Sequence, residues 1–154
     1  MSVVTAQIHI DAPPQVVFDF CMAPETTQEW VTIVRGVHDV DPGPMQVGYR
    51  MGQTLCLRGV KFKVRWTLTA LDAPWYARWE GKGPAGSKAI IEDRLGEADG
   101  GGTVFDYRNE FKTPFGPLGA VASNVLVGGI SEREANASLR QLKRLVEARA
   151  SVPR

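Results

Sequence analysis

The alternation of apolar and polar positions is clearest in the middle of the chain, where it predicts β-strands. In the stretch from Phe62 to Leu71, every second residue as far as Ala70 is apolar, and lysine, arginine or threonine stands between. A period of two is typical of an antiparallel strand with one buried and one solvated face. Further strand-like runs lie at residues 3–10, 34–41, 49–58, 75–83, 88–97 and 103–113. Because short glycine-rich turns separate the last three runs, the pattern favours a meander of neighbouring strands.

Two short helices are predicted directly after the first strand. Asp11 is placed to cap a helix that has Pro13 and Pro14 in its first turn, where their missing N–H groups are not needed. Pro24 then ends this helix and begins a second short one, which runs to about Trp30.

A long helix is predicted at the C-terminal end. After a break at residues 113–117, apolar residues recur at intervals of three and four from 118 to 149. A helix of this length needs a partner along its face, and the sheet is the partner available. The chain is therefore predicted to be an α+β protein whose curved seven-stranded antiparallel sheet wraps around the long helix. Without repeats or linkers, residues 1–154 are expected to form a single domain.

Composition and charge restrict the classes of partner. The chain has 154 residues, and 18 basic against 17 acidic side chains give a net charge of +1. This balance gives no electrostatic argument for binding nucleic acid or an anionic membrane. The longest apolar stretch, residues 118–130, is too short for a membrane span, and the N-terminus lacks the pattern of a signal peptide. With Cys21 and Cys56 expected to be free thiols, we expect a cytoplasmic protein of undetermined oligomeric state.

Two motifs that could bring in a cofactor or a metal fail on physical grounds. Residues 81–86 match G-x-G-x-x-G, but dinucleotide binding requires that loop to open a helix, and a strand-like run follows instead. His9 and His38 lie in different predicted strands without a carboxylate at ligand spacing. We therefore expect neither a metal nor a cofactor.

The order of elements and several short segments resemble the START-like superfamily, also called SRPBCC, and within it the polyketide cyclase/dehydrase family. The segments that carry the resemblance are IHIDAPPQVVFDFCMAPETTQEW at residues 8–30, PGP at 42–44 with VGY at 47–49, GGT at 101–103 with FDYRNEF at 105–111, and GPLG at 116–119. The resemblance covers nearly the whole chain and implies a helix-grip fold with an apolar cavity between sheet and helix. Its members include cyclases, lipid carriers, quinone-binding proteins and chaperone co-factors, so the fold does not select an activity.

The resemblance places the inward face of the sheet on the cavity, and the alternation then identifies candidate side chains. The candidates for ligand binding are Gln53, Trp66, Trp79, Ile91, Phe105 and Asn109 in the sheet and Val125 and Gly128 in the helix. Most are apolar or aromatic, which suits a hydrophobic or aromatic ligand, although plain core packing would also explain each aromatic ring. A slip of one residue would exchange the inward residue of each strand for its neighbour.

The polar exceptions on this face are Gln53, Asp93, Tyr107 and Asn109. Of these, Asp93 and Tyr107 are the candidates for acid–base catalysis. Counting from a turn centred near Gly101 places Asp93 directly opposite Asn109. In the alternative register Glu92 would point inward and Asp93 would face solvent.

Three functions remain open at this point. The first is a binding or carrier protein for a small hydrophobic or aromatic molecule, either a lipid or a polyketide-like compound. The second is a cyclase/dehydrase that closes a bound poly-β-ketone by aldol chemistry, with Asp93 or Tyr107 as acid or base. The third is a protein-interaction module that uses the sheet or a helix edge.

Overall fold

The structure is a computed structural model that describes residues 2–112 and 131–150. Its strands are β1 (Ser2–Ile10), β2 (Val34–His38), β3 (Arg50–Leu57), β4 (Val60–Asp72), β5 (Tyr76–Lys82), β6 (Lys88–Glu97) and β7 (Thr103–Lys112). Its helices are α1 (Pro14–Met22), α2 (Pro24–Trp30) and α3 (Glu132–Ala150). The predicted sheet of seven strands and the pair of short helices after the first strand are thus confirmed.

The sheet is a meander to which the first strand is added at the end. The strand order is β1-β7-β6-β5-β4-β3-β2, and every pairing is antiparallel. Strands β2 to β7 therefore follow one another in sequence, and β1 lies beside β7 with Ile10 opposite Thr103. Helix α3 packs against β1, α1 and α2, which brings all three helices to the same side as the buried face.

The buried face of the sheet follows the predicted alternation. In β4, Val64, Trp66 and Leu68 are buried, while Lys63 and Arg65 are exposed. Complete burial of a large apolar side chain contributes roughly 1.5–3 kcal/mol, so this face supplies much of the stability of the fold.

Helix α3 completes the core with one apolar face. Its buried residues are Ala135, Ser138, Leu139, Leu142 and Val146, at intervals of three and four. Helix α3 begins at Glu132, because Ser131 is not helical and its Oγ accepts a hydrogen bond of 3.1 Å from the backbone N–H of Glu134. The prediction of one continuous helix over 118–149 is therefore wrong at Ser131, and residues 118–130 lie outside the described residues.

The predicted cap at Asp11 is wrong. Helix α1 begins at Pro14 with Pro13 as its N-cap residue and has no side-chain cap. The backbone N–H of Asp11 instead donates to Glu147 Oε2 at 2.7 Å, and Lys143 Nζ donates to the carbonyl of His9 at 2.8 Å. Asp11, which the sequence pattern assigns to the start of α1, thus makes a tertiary contact with α3 instead.

The hairpin between β6 and β7 has a different register from the predicted one. Glu97 pairs with Thr103, so the turn is centred on Gly100, and Asp93 lies opposite Tyr107. Asn109 lies opposite Ile91 instead. The predicted pairing of Asp93 with Asn109 is therefore wrong by two residues, although the same side chains share the inner face. Gly102 sets this turn, because its φ is +81° and a Cβ there would lie 2.6 Å from the carbonyl oxygen of Ile10.

The G-x-G-x-x-G segment forms a hairpin turn. Gly81 lies within β5, residues Pro84–Gly86 form one 3₁₀ turn, and β6 begins at Lys88. No α-helix starts at this loop, so it lacks the helix N-terminus that a pyrophosphate requires.

Candidate functional site

A cavity lies between the inner face of the sheet and the helices, with a volume of about 80 Å³. The sheet lines it with Met51, Gln53, Trp66, Trp79, Ile91, Asp93 and Tyr107. The helices and the segment after α2 line it with Cys21, Met22, Thr27, Trp30, Val31, Ala135, Ser138 and Leu139. The walls are thus mainly aliphatic, sulfur-containing and aromatic. Among the described lining residues, Asp93 is the only one of a residue type that normally carries a charge at neutral pH.

Most of the side chains predicted for the site meet at this cavity. Gln53, Trp66, Trp79, Ile91, Asp93 and Tyr107 all line it. Phe105 is completely buried but belongs to the core rather than the cavity wall, and Asn109 also lies off the wall. Val125 and Gly128 lie outside the described residues.

Asp93 points inward from β6 and is 5% exposed. Burial disfavours its charged form and raises the pKa of the carboxyl from 3.8 to about 7. Among the described residues, its Oδ1 has no hydrogen-bond partner. Asp93 can therefore accept or release a proton near neutral pH, and one of its oxygens is available to whatever enters the cavity.

Tyr107 stands opposite Asp93 on β7. Its hydroxyl oxygen accepts a hydrogen bond of 2.9 Å from Asn109 Nδ2. Burial raises the pKa of the Tyr107 hydroxyl well above its ordinary value of 10.0, so the phenol stays neutral and can act as a donor. Asn109 therefore positions Tyr107 from behind the wall and does not itself line the cavity.

Two tryptophans on the wall differ in their hydrogen bonding. Trp66 Nε1 donates to Gln53 Oε1 at 3.0 Å, a contact between neighbouring strands that satisfies the indole. Trp30, at the C-terminal end of α2, is 6% exposed, and its Nε1 has no partner in the part of the chain that the structure describes. A buried indole N–H usually finds an acceptor, and Trp30 is an exception. Its N–H is therefore available to a molecule that occupies the cavity.

Cys21 offers no activated nucleophile. Burial, with a smaller contribution from the charge of Asp93, raises the pKa of the Cys21 thiol well above its ordinary value. Its thiol donates to the carbonyl of Phe18 at 3.4 Å. Since the thiolate is the reactive form, this cysteine contributes to the wall by packing.

The helical part of the wall is what sequence reasoning missed. Cys21 and Leu139 belong to apolar helix faces in the sequence but are not among the predicted site residues. Ser138 Oγ accepts a hydrogen bond of 3.1 Å from the backbone N–H of Thr32, so a polar residue on the buried face of α3 holds the segment after α2 in place. The available signal was the buried face of each helix, which must lie against the sheet in this architecture.

Residues 2–112 and 131–150 contain no group of three or more histidine, cysteine, aspartate or glutamate side chains that could hold a metal ion. Among the same residues, no helix combines the length and the apolar character needed to cross a lipid bilayer.

Comparison with known families gives a match that spans almost the whole chain. The model of a family described as polyketide cyclase / dehydrase and lipid transport matches residues 1–147. A search of curated proteins finds no match.

Solved structures with the same architecture have low sequence identity to this chain. The Zhui aromatase/cyclase from Streptomyces sp. R1128 is 15% identical with a TM-score of 0.81, over 97% of this chain and 96% of its own. The TTHA0849 protein of Thermus thermophilus is 18% identical with a TM-score of 0.75, over 97% and 99%. The DR_A0006 protein of Deinococcus radiodurans is 18% identical with a TM-score of 0.70, over 96% and 98%. These similarities show the fold, and the predicted helix-grip architecture is confirmed.

Proposed function

The chain belongs to the polyketide cyclase / dehydrase and lipid transport family, and we propose that it binds a small hydrophobic or aromatic molecule in the cavity between sheet and helices. The observation that carries the proposal is the composition of the wall, where aromatic and aliphatic side chains surround a few polar atoms. Such walls are typical of sites for small organic ligands. The family and the fold also support a ligand-binding cavity.

The volume of the cavity restricts how a ligand enters. An apolar cavity of about 150 Å³ holds a benzene ring, whereas this one measures about 80 Å³. Met22 and Met51 both line it, and methionine side chains change conformation at low cost because they are unbranched. We therefore propose that a ring enters by displacing these two side chains.

Native mass spectrometry of the protein purified from its own host tests whether a small molecule is retained. The matched variants are Ala135→Leu, which adds volume at a buried cavity residue of α3, and Ala148→Leu, which adds the same volume at an exposed position of the same helix. We expect Ala135→Leu to lose the ligand and Ala148→Leu to keep it. Equal retention by both variants, with the fold verified by circular dichroism, would place the ligand elsewhere.

A second candidate function is the acid–base cyclase/dehydrase, and a specific observation favours it. Asp93 has a pKa of about 7 and lies opposite the neutral phenol of Tyr107 on the cavity wall. A group that titrates near the working pH is suited to general acid–base catalysis. Aldol closure of a poly-β-ketone needs a base to remove a proton beside a carbonyl, and loss of water needs an acid.

The test of this candidate is turnover of a poly-β-ketone mimic followed by chromatography and mass spectrometry. In an enzyme, Asp93→Asn should abolish turnover and leave binding nearly intact. If Asp93 acts as the base, the rate should rise as the pH rises through about 7, because only the ionised carboxylate accepts a proton. No product from the wild-type protein would leave the binding proposal as the function.

The proposal extends to the kind of ligand that is bound and to the location of the protein in the cell. A lipid-like ligand is one member of the class that these apolar walls suit. A cytoplasmic location is supported by the free state of both Cys21 and Cys56, since free thiols are usual in reducing compartments.

A further inference from the structure

Two polar atoms in the wall of the cavity lack a partner. Within the described ranges, Trp30 Nε1 and Asp93 Oδ1 are the buried side-chain nitrogen and oxygen atoms that make no hydrogen bond in the protein. Both residues line the same cavity, and they are 6% and 5% exposed. One is an obligatory donor, and the other is an oxygen that accepts when the carboxyl is ionised. An occupant of the cavity that offers an acceptor to the indole and a donor to the carboxylate would satisfy both atoms.

Building on the proposed function, we propose that the ligand is a phenol, an uncharged ring whose hydroxyl accepts a hydrogen bond from Trp30 Nε1 and donates one to Asp93 Oδ1. A hydroxyl is the smallest organic group that both accepts and donates. The ring itself matches the aromatic and aliphatic remainder of the wall, which includes Trp66, Trp79 and Ile91.

Ligands with other head groups satisfy the two atoms less well. With Asp93 ionised, as it is above a pH of about 7, a carboxylate ligand has no proton to donate and would place a second negative charge near it. The described lining residues include no lysine, arginine or histidine to pair with that charge. An ammonium group donates to Asp93 but cannot accept from Trp30. A hydrocarbon leaves both atoms unpaired, at a cost of roughly 1–3 kcal/mol for each.

Water competes for the same two atoms but not for the rest of the wall. A phenol replaces the hydrogen bonds that water would make, and it also removes apolar surface from water. The balance therefore favours the phenol over water, and it favours the phenol over a hydrocarbon ring of the same shape.

The experiment is done at pH 8, above the pKa of about 7 of Asp93, and compares phenol with toluene, which has a methyl group in place of the hydroxyl, and with benzoate. Binding is followed through the indole N–H signals of the four tryptophans in a ¹H–¹⁵N NMR titration. We expect phenol to bind at least about tenfold more tightly than toluene and benzoate to bind most weakly. Phenol should also shift the indole N–H signal of Trp30 downfield, and toluene should not.

Variants assign the preference to the two atoms. Trp30→Phe and Asp93→Leu should each reduce the phenol-to-toluene ratio about tenfold, whereas Asp93→Asn should keep it because the amide oxygen still accepts. The matched controls are Trp75→Phe, at an exposed tryptophan, and Glu92→Gln, at the neighbouring carboxylate on the opposite face of β6. Both controls should leave the ratio unchanged.

The outcomes separate this inference from the proposed function. Equal binding of phenol and toluene, without a shift at Trp30, overturns the head-group assignment and leaves an apolar ligand site standing. Failure of all three rings to bind the folded protein overturns both. If Trp30→Phe or Asp93→Leu does not fold, the wild-type ratio and the Trp30 signal decide the question.

Discussion

Glu92 and Asp93 are adjacent carboxylates in β6 that lie on opposite faces of the sheet. On the outer face, Glu92 Oε2 accepts hydrogen bonds from the Tyr76 hydroxyl at 2.7 Å and from Arg94 at 3.0 Å. Its Oε1 accepts a longer one of 3.5 Å from Arg108. On the inner face, Asp93 Oδ1 has no partner within residues 2–112 and 131–150. The alternation of a β-strand thus separates a paired surface anion from an unpaired buried acid by one residue.

The two environments shift the two pKa values in opposite directions. The hydrogen bond from Tyr76, together with the nearby arginines, lowers the pKa of Glu92, although partial burial opposes this effect. Burial alone raises the pKa of Asp93 to about 7. The outer carboxylate therefore supports the fold when ionised, while the inner one destabilises it when ionised. Such a local cost is expected where a residue serves a site rather than the fold.

The largest expected effect concerns Asp93. Between pH 3.8 and about 7 the folded protein binds a proton that the unfolded chain has released, so its stability falls as the pH rises through this range. Each pH unit is worth about 1.4 kcal/mol, so wild type should lose about 4 kcal/mol of this contribution between pH 4 and pH 8. Asp93→Asn should lack this loss and should be the more stable protein at pH 8.

Urea unfolding of wild type and Asp93→Asn at several pH values measures the difference. The matched control is Glu92→Gln, which removes the neighbouring ionisable group on the outer face. Parallel stability curves for wild type and Asp93→Asn from pH 4 to pH 8 would show that Asp93 is hydrated and titrates normally.

The next effect compares glycines on the two faces. Gly81 lies on the inner face of β5, and a Cβ there would lie 2.6 Å from Trp66 Cζ3 and 2.9 Å from Val64 Cγ1. Gly96 lies on the outer face of β6, where a Cβ would meet no heavy atom within 4 Å. We expect Gly81→Ala to cost roughly 1–3 kcal/mol, because the Trp66 ring must move toward the cavity. Gly96→Ala should be neutral or stabilising by less than about 1 kcal/mol.

Thermal unfolding and ligand titration report these changes together. If Gly81→Ala is as stable as Gly96→Ala and binds the same ligands, the Trp66 ring has room to move, and the inner face is less tightly packed than these distances indicate.

Much of the fold follows from sequence because it depends on periodicity. The alternation around Trp66 predicts which face of β4 is buried, and the meander follows from short turns. The inward orientation of Asp93 follows in the same way. The sequence pattern gave a wrong prediction where a tertiary contact decides the structure. Asp11 was expected to cap the first helix, but its backbone N–H donates to Glu147 instead.

The candidate site was harder to predict because its wall combines distant elements. The alternation along each strand identified Asp93 and Tyr107 as inward-facing residues. Their pairing, however, depends on the centre of the turn between β6 and β7. Three successive glycines of positive φ place that centre at Gly100. Trp30 could be expected to be buried, but its lack of an acceptor depends on how α2 lies against the sheet. No pattern within the seven residues of α2 contains that information.

The smallest expected effect is that of Glu92→Gln on the outer face. Its carboxylate is 17% exposed, and its arginine partners are 64% and 41% exposed, so solvent and salt weaken the ion pairs. We expect a loss of about 1 kcal/mol at pH 7, mainly from the weakened Tyr76 contact. Because the folded pKa of Glu92 is lowered, its contribution is present above the ordinary value of 4.5 and disappears as the pH falls through the folded value. The difference in unfolding free energy between wild type and Glu92→Gln should therefore shrink as the pH falls below 4.5, opposite in sign to the effect at Asp93. A difference that grows on acidification would mean that the outer network does not hold Glu92 in its ionised form.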